Sequence, residues 1–294
     1  MRTTRTRHQP LFAAAALAAV TLPAILHADE PFRESQEADP QGTVEIMGIT
    51  DSVDVSGWDQ PRVEITAQGD VGDRIHFSAH GARTVIDVRP GGGKPQLSIR
   101  VPSRSTLSVT LVNGNISVHG VAGDANLRSV SGNIGGEVGG NLRANTATGT
   151  IHMAAPGAKM IEAKTIDGDI HLSGAPSEVE VVTVSGKVKL ELGALSHGRF
   201  KSISGDVAAA LALAPDADLD GESVSGNLRF DFPTAPAAQF DLQSFSGTID
   251  NCFGPKPERA HYGPGSRLEF KSGDGGAHVR IETKSGDVHL CTGR

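Results

Sequence analysis

One short phrase recurs along the chain and narrows the folds open to it: a Ser or Thr, an apolar residue, a small polar residue, a glycine, a polar residue and an aliphatic one. It reads TVSGKV from Thr183 to Val188 and SISGDV from Ser202 to Val207. Aligned on its glycine, the phrase falls at Gly114, Gly132, Gly149, Gly168, Gly186, Gly205, Gly226, Gly247 and Gly286. The steps are 18, 17, 19, 18, 19, 21, 21 and 39 residues, and an imperfect turn at Gly273 lies inside the last. A near-constant period of this length marks a repeat architecture in which each unit is stabilised by its neighbours.

The columns around the glycine specify the unit. Two residues after it stand Ile116, Ile134, Ile151, Ile170, Val188, Val207, Leu228, Ile249 and Val288, all aliphatic, while the residue between is always polar. This period-two alternation describes a strand with one buried face. Three residues before the glycine the column is Ser or Thr, with Leu111 the exception. Two before it, Val112, Val130, Ala147, Ile166, Val184, Ile203, Val224 and Phe245 are expected to point inward, with Lys284 out of pattern. Glycine beside Ser, Asp or Asn suits a tight corner. The expected fold is therefore all-β: a β-solenoid of stacked short strands, about 18–21 residues per rung, over residues 105–294. An antiparallel sandwich also wants short alternating strands but gives no reason for one corner to recur at one period.

Residues 43–104 alternate more loosely, through Val44/Ile46, Val53/Val55 and Leu97/Ile99/Val101, and read as irregular N-terminal capping rungs continuous with the solenoid. The acidic stretch 29–42 reads as a flexible lead. Residues 1–28 carry Arg2, Arg5 and Arg7, an apolar run and a small residue, Ala28, at a candidate cleavage point, which is the pattern of a signal peptide. Cleavage near Ala28 would make the protein periplasmic or secreted and take its formal charge from −7 to −10. That sign argues against nucleic acid as a partner, and no later apolar run predicts a transmembrane segment in the mature chain.

The phrases VDVSGWDQPRVEI near the start, SVSGNI, TIDGDI and SVSGNL in the repeats, and SFSGTIDNCFG near the end resemble the bacterial putative-adhesin family of β-strand-repeat proteins. The resemblance spans about 43–294. It implies an envelope or exported protein of stacked strands with an unknown envelope, cell-surface or matrix partner, and it brings no catalytic residues, cofactor or metal.

The candidate chemistry is sparse. Cys252 and Cys291 each stand five residues after their glycine, so in adjacent rungs about 4.8 Å apart they would form a disulfide. If Gly273 marked a full intervening rung, the pair would be too far apart. His152 and His171 share an outward column with Asp169 nearby, but no third or fourth metal ligand is evident. The Asp/Asn column after the glycines reads as a hydrogen-bonding ladder. A serine that recurs ahead of most corners is structural, unlike a nucleophile elbow. The expectation is a non-catalytic adhesin-like scaffold; the alternative is a polysaccharide-active or metal-dependent enzyme with a site in loop 254–266, where Glu258, His261 and Tyr262 cluster.

Overall fold

The computed structural model describes residues 32–49, 52–68, 71–91, 96–259 and 265–293. The segment read as a signal peptide lies outside the described residues. Apart from a single 3-10 turn at Gly72–Arg74, the described regular structure is β-strand. No helix among the described residues is long and apolar enough to cross a membrane.

Each repeat contributes one strand before its corner glycine and one after, and the two kinds form two parallel stacks facing each other. In one stack Thr106–Asn113, Ala125–Ser131, Leu142–Thr148, Met160–Asp167 and Glu178–Ser185 pair in succession without a register shift. In the other, Asn115–Val121, Ile134–Val138, Ile151–Ala155, Ile170–Gly174 and the start of Val188–Ser202 do the same, with one irregularity near Val138. All nine aliphatic residues two after the glycine are buried between the stacks. Each contributes roughly 1.5–3 kcal/mol by leaving water, which gives the register its driving force, since a one-residue slip would turn the whole set outward.

The corner glycine is required by close approach. An added Cβ on Gly186 would sit 2.2 Å from the carbonyl oxygen of Gly168, and one on Gly168 would sit 2.0 Å from that of Gly149. Every later corner meets the glycine oxygen of the rung beneath it in the same way, so the corners form a column of backbone with no room for side chains. The Asp/Asn column braces it: Asn115 Oδ1 accepts from the Asn133 N–H (2.8 Å), Asn133 Oδ1 from the Thr150 N–H (2.8 Å) and Asp169 Oδ1 from the Lys187 N–H (2.7 Å).

Sequence order and spatial order part company at both ends. Ala277–Thr283 and Val288–Thr292, the last rung in the chain, lie between the Gly226 rung and the Gly247 rung. The corner ladder follows this detour, since Asn227 accepts from the Asp287 N–H (2.9 Å) and Asp287 from the Thr248 N–H (2.7 Å). Gly273 marks no rung; it lies in the turn after Ser266–Lys271, which runs antiparallel along the outer edge of Ala238–Ser244. At the other end Thr43–Gly48 and Ser52–Trp58 lie beneath a rung made of Arg83–Val88 and Gln96–Pro102. Ile75–His80 and Arg62–Gln68 then cover that outer rung antiparallel. Part of the expected flexible lead is ordered: Phe32–Glu37 pairs antiparallel with Arg62–Gln68 and so covers a further edge.

Candidate binding edge

The sequence placed the apolar residues two before the glycine inside, and the structure puts them outside. Val112, Val130, Ile166, Val184, Ile203, Val224 and Phe245 are exposed, with Ile166 at 57% and Phe245 at 69%. The hydroxyl residues one position earlier take the inward place; Ser202 is 5% exposed and Thr183 1%. Polarity is inverted because the corner itself is polar. A hydroxyl inside the bend reaches backbone groups that the strand ladder leaves unpaired: Ser202 Oγ donates to the Gly205 carbonyl (2.6 Å) and accepts from its N–H (2.8 Å), and Ser129 Oγ donates to the Gly114 carbonyl (3.1 Å). Thr165 is the exception, buried without a partner for its hydroxyl.

The displaced apolar column forms a ridge along one edge of the molecule. Register places Ile49, Val112, Val130, Ala147, Ile166, Val184, Ile203, Val224, Lys284 and Phe245 on successive rungs in that order. Nine steps of about 4.8 Å make it about 43 Å long. On its corner side runs a hydroxyl column whose members bond the rung below, for example Ser204 Oγ to the Val184 carbonyl (3.1 Å) and Ser225 Oγ to the Ile203 carbonyl (3.2 Å). On its other side, two residues back along each strand, stand Arg128, Lys164, Lys201, Glu222 and Glu282. A shallow groove of about 530 Å³ opens between Val184, Ile203 and Val224 and the flanking Lys201 and Glu222.

Charge on this face is organised in ladders. Lys164 lies 2.9 Å from Glu162 and 3.3 Å from Glu180, and Arg143 reaches Glu162 at 3.1 Å. The hydrogen bond from Lys164 holds the Glu162 carboxyl below its ordinary range, and Lys201 does the same for Glu222. Burial raises Asp220, with the Glu222 charge adding to the effect. Apart from Asp220, these groups are paired with opposite charges along a half-buried to exposed face, an arrangement that supports surface recognition.

The remaining sequence candidates are placed as follows. His152 and His171 are register partners with ring centroids 5.5 Å apart, and no set of three His, Cys, Asp or Glu side chains that could hold a metal occurs among the described residues. Cys252 and Cys291 lie on adjacent rungs, because the last rung inserts beside the Gly247 rung; they are joined in a disulfide with Cα atoms 4.9 Å apart. Of the loop cluster, Glu258 lies in the short strand Glu258–Arg259, whereas His261 and Tyr262 fall outside the described residues. The ridge itself went unread as a surface, although Lys284 in a supposedly inward column was a signal that the column faces solvent.

Similar structures share this architecture. A structure described as a putative lipid binding protein from Parabacteroides distasonis aligns at a TM-score of 0.53 and 12% identity, covering 90% of this chain and 97% of that one. A putative adhesin from the same organism aligns at 0.49 and 13% identity, covering 88% and 96%. At 12% identity the first of these likenesses is one of fold. A search of curated proteins finds no match to the sequence. Residues 75–291, covering nearly all the rungs and the inserted C-terminal one, match the Toastrack DUF4097 family, and the chain belongs to that family.

Proposed function

We propose that the protein is an exported, non-catalytic, adhesin-like scaffold that binds an envelope, cell-surface or matrix partner along the ridge and its charged flank. The carrying observation is the row of exposed branched side chains maintained rung after rung. A scattered exposed Val needs no explanation, but an apolar row of this length, interrupted only by Lys284 near one end, signals an interaction site. The names of the structural neighbours, putative adhesin and putative lipid binding protein, agree with a binding role. The disulfide and the N-terminal charge and hydropathy pattern agree with export to an oxidising compartment.

Two measurements test the reading. Cell fractionation with N-terminal sequencing of the recovered protein should find it outside the cytoplasm and beginning near Asp29. The immobilised protein should bind intact cells or matrix saturably, and the double variant Val184→Asp, Ile203→Asp should lose most of that binding while keeping its melting temperature. Cytoplasmic retention, or binding indifferent to the ridge, would refute it.

A further inference from the structure

Resting on the reading of the ridge as an interaction surface, we infer that, when no outside partner occupies it, the ridge takes a second copy of this chain, packed antiparallel about a two-fold axis into a closed dimer. The first reason is spacing. Val112, Val130, Ile166, Val184, Ile203 and Val224 are β-branched knobs repeated at the interstrand distance, about 4.8 Å. Rows of such side chains pack by interdigitating with another row of the same period, as in dry β-sheet interfaces. A second copy supplies that period by construction.

The second reason is charge. A two-fold axis across the ridge, in the plane of contact, reverses the direction of the partner's ridge and sets each flanking column against the same column of the other copy. The charged members of that column read Arg128, Lys164, Lys201, Glu222 and Glu282 in rung order, so its positive side chains precede its negative ones, with Lys201 and Glu222 paired at 2.8 Å where the two signs meet. With the axis between Ile166 and Val184, Arg128 faces Glu222, Val130 faces Val224, and the small Ala147 receives Ile203. Arg128 makes no salt bridge within the chain among the described residues, so it has a charge to offer. Parallel ridges would instead put Arg128 against Ser131, on the corner side of the ridge. A bilayer fits less well, since the acidic half of the flank would meet the headgroups.

The third reason is size. A strip about 43 Å long and roughly 15 Å wide presents on the order of 650 Å² per copy, close to the ~800 Å² of a standard interface. Because the same patch serves both copies, the contact closes on itself and does not propagate.

Sedimentation velocity over a concentration series tests this on the protein as recovered from cells. The expected result is a reversible species of twice the chain mass. Val184→Asp should weaken it at least about tenfold, as should Arg128→Glu or Glu222→Arg alone, and the double charge exchange should restore it. Within one copy Arg128 and Glu222 are five rungs apart, about 24 Å and beyond the ~8 Å screening length, so such rescue reports contact between copies. Since all three residues are exposed, unchanged melting temperatures would separate lost association from lost folding. A single-chain mass throughout would overturn the inference, as would a dimer indifferent to these variants, or a monomer that co-sediments with phosphatidylglycerol vesicles. A monomer that still binds cells through the ridge overturns the dimer and spares the adhesin reading; a ridge-dependent dimer that binds no cells does the reverse.

Discussion

Between the Gly132 and Gly205 rungs the chain lays each rung on the one before it, whereas at both ends it tucks the rung nearest its terminus one step inside the outermost one. The middle is held by repetition: one aliphatic column, one glycine column and, wherever Asn or Asp follows the glycine, a side-chain oxygen that accepts the N–H of the next rung. A parallel stack so built has no natural end, and its last strands would present unpaired edges. The ends answer with non-repeating parts. Antiparallel strands cover the outer rungs, and at the C-terminal end Phe232, Phe240, Phe253 and Phe270 close the core, with Phe240 and Phe270 stacked at 4.5 Å. Placing the terminal rung inside also pairs it on both sides, so the chain cannot fray from its tip one strand at a time.

Substitution should separate the two regimes. The largest effect is expected for Gly186→Ala in the middle, where the new Cβ meets the Gly168 oxygen at 2.2 Å and φ is +120°; overpacking and backbone strain together should cost about 3–5 kcal/mol in a denaturant titration. Gly81→Ala in a cap turn meets nothing within 4 Å and bears only its φ of +58°, so about 1–2 kcal/mol is expected. Equal losses would erase the distinction.

Removing the disulfide by the double substitution Cys252→Ser, Cys291→Ser should cost about 3–4 kcal/mol for a 39-residue separation. Hydrogen exchange should accelerate in Ile249–Asn251 and Val288–Thr292 and remain unchanged around Gly149. Thiol titration of the denatured, unreduced protein should find no free cysteine, and two would end this account of the C-terminal end.

Within the middle, Leu127→Ala should cost about 2–5 kcal/mol, since the side chain is fully buried. Val130→Ala, three residues on and 56% exposed, should cost under about 0.5 kcal/mol. Comparable costs would return the apolar column to the core and remove the ridge.

The smallest effect is electrostatic. The backbone and hydroxyl of Thr248 hold the Asp287 carboxyl below its ordinary range. A carboxyl lowered by folding stabilises the fold above its unfolded pKa, and the contribution disappears as pH falls through the folded value. Asp287→Asn should therefore flatten the acid limb of the stability profile measured by denaturant titration across pH.

Much of this fold was readable from the chain because neighbouring rungs repeat one local rule. A glycine with an aliphatic residue two positions on gives corner, strand and inward face together, and Asn115, Asn133 and Asp169 announced the ladder that braces them. The same local rule misled at Val130 and its equivalents. Hydropathy assigns a Val inward and a Ser outward, but near the bend the inward neighbour is a backbone carbonyl or N–H, for which Ser129 is the better match. The candidate edge was accordingly hidden in a column whose residues were correctly aligned and wrongly oriented.

The amino-acid sequence alone determined the period, the corner, the buried aliphatic column and the all-β class, because each depends on residues a few positions apart or on identical neighbours. Tertiary structure decided the rest. Insertion of the Gly286 rung between those of Gly226 and Gly247 is set by pairings about 40 to 60 residues distant, and no local pattern encodes which edge a returning strand will find. That insertion brought Cys252 beside Cys291. The exposure of the ridge likewise depends on what fills the inside of each bend, which is backbone of the same bend, as at Ser202 and Gly205, together with that of the neighbouring rung, as at Ser129 and Gly114.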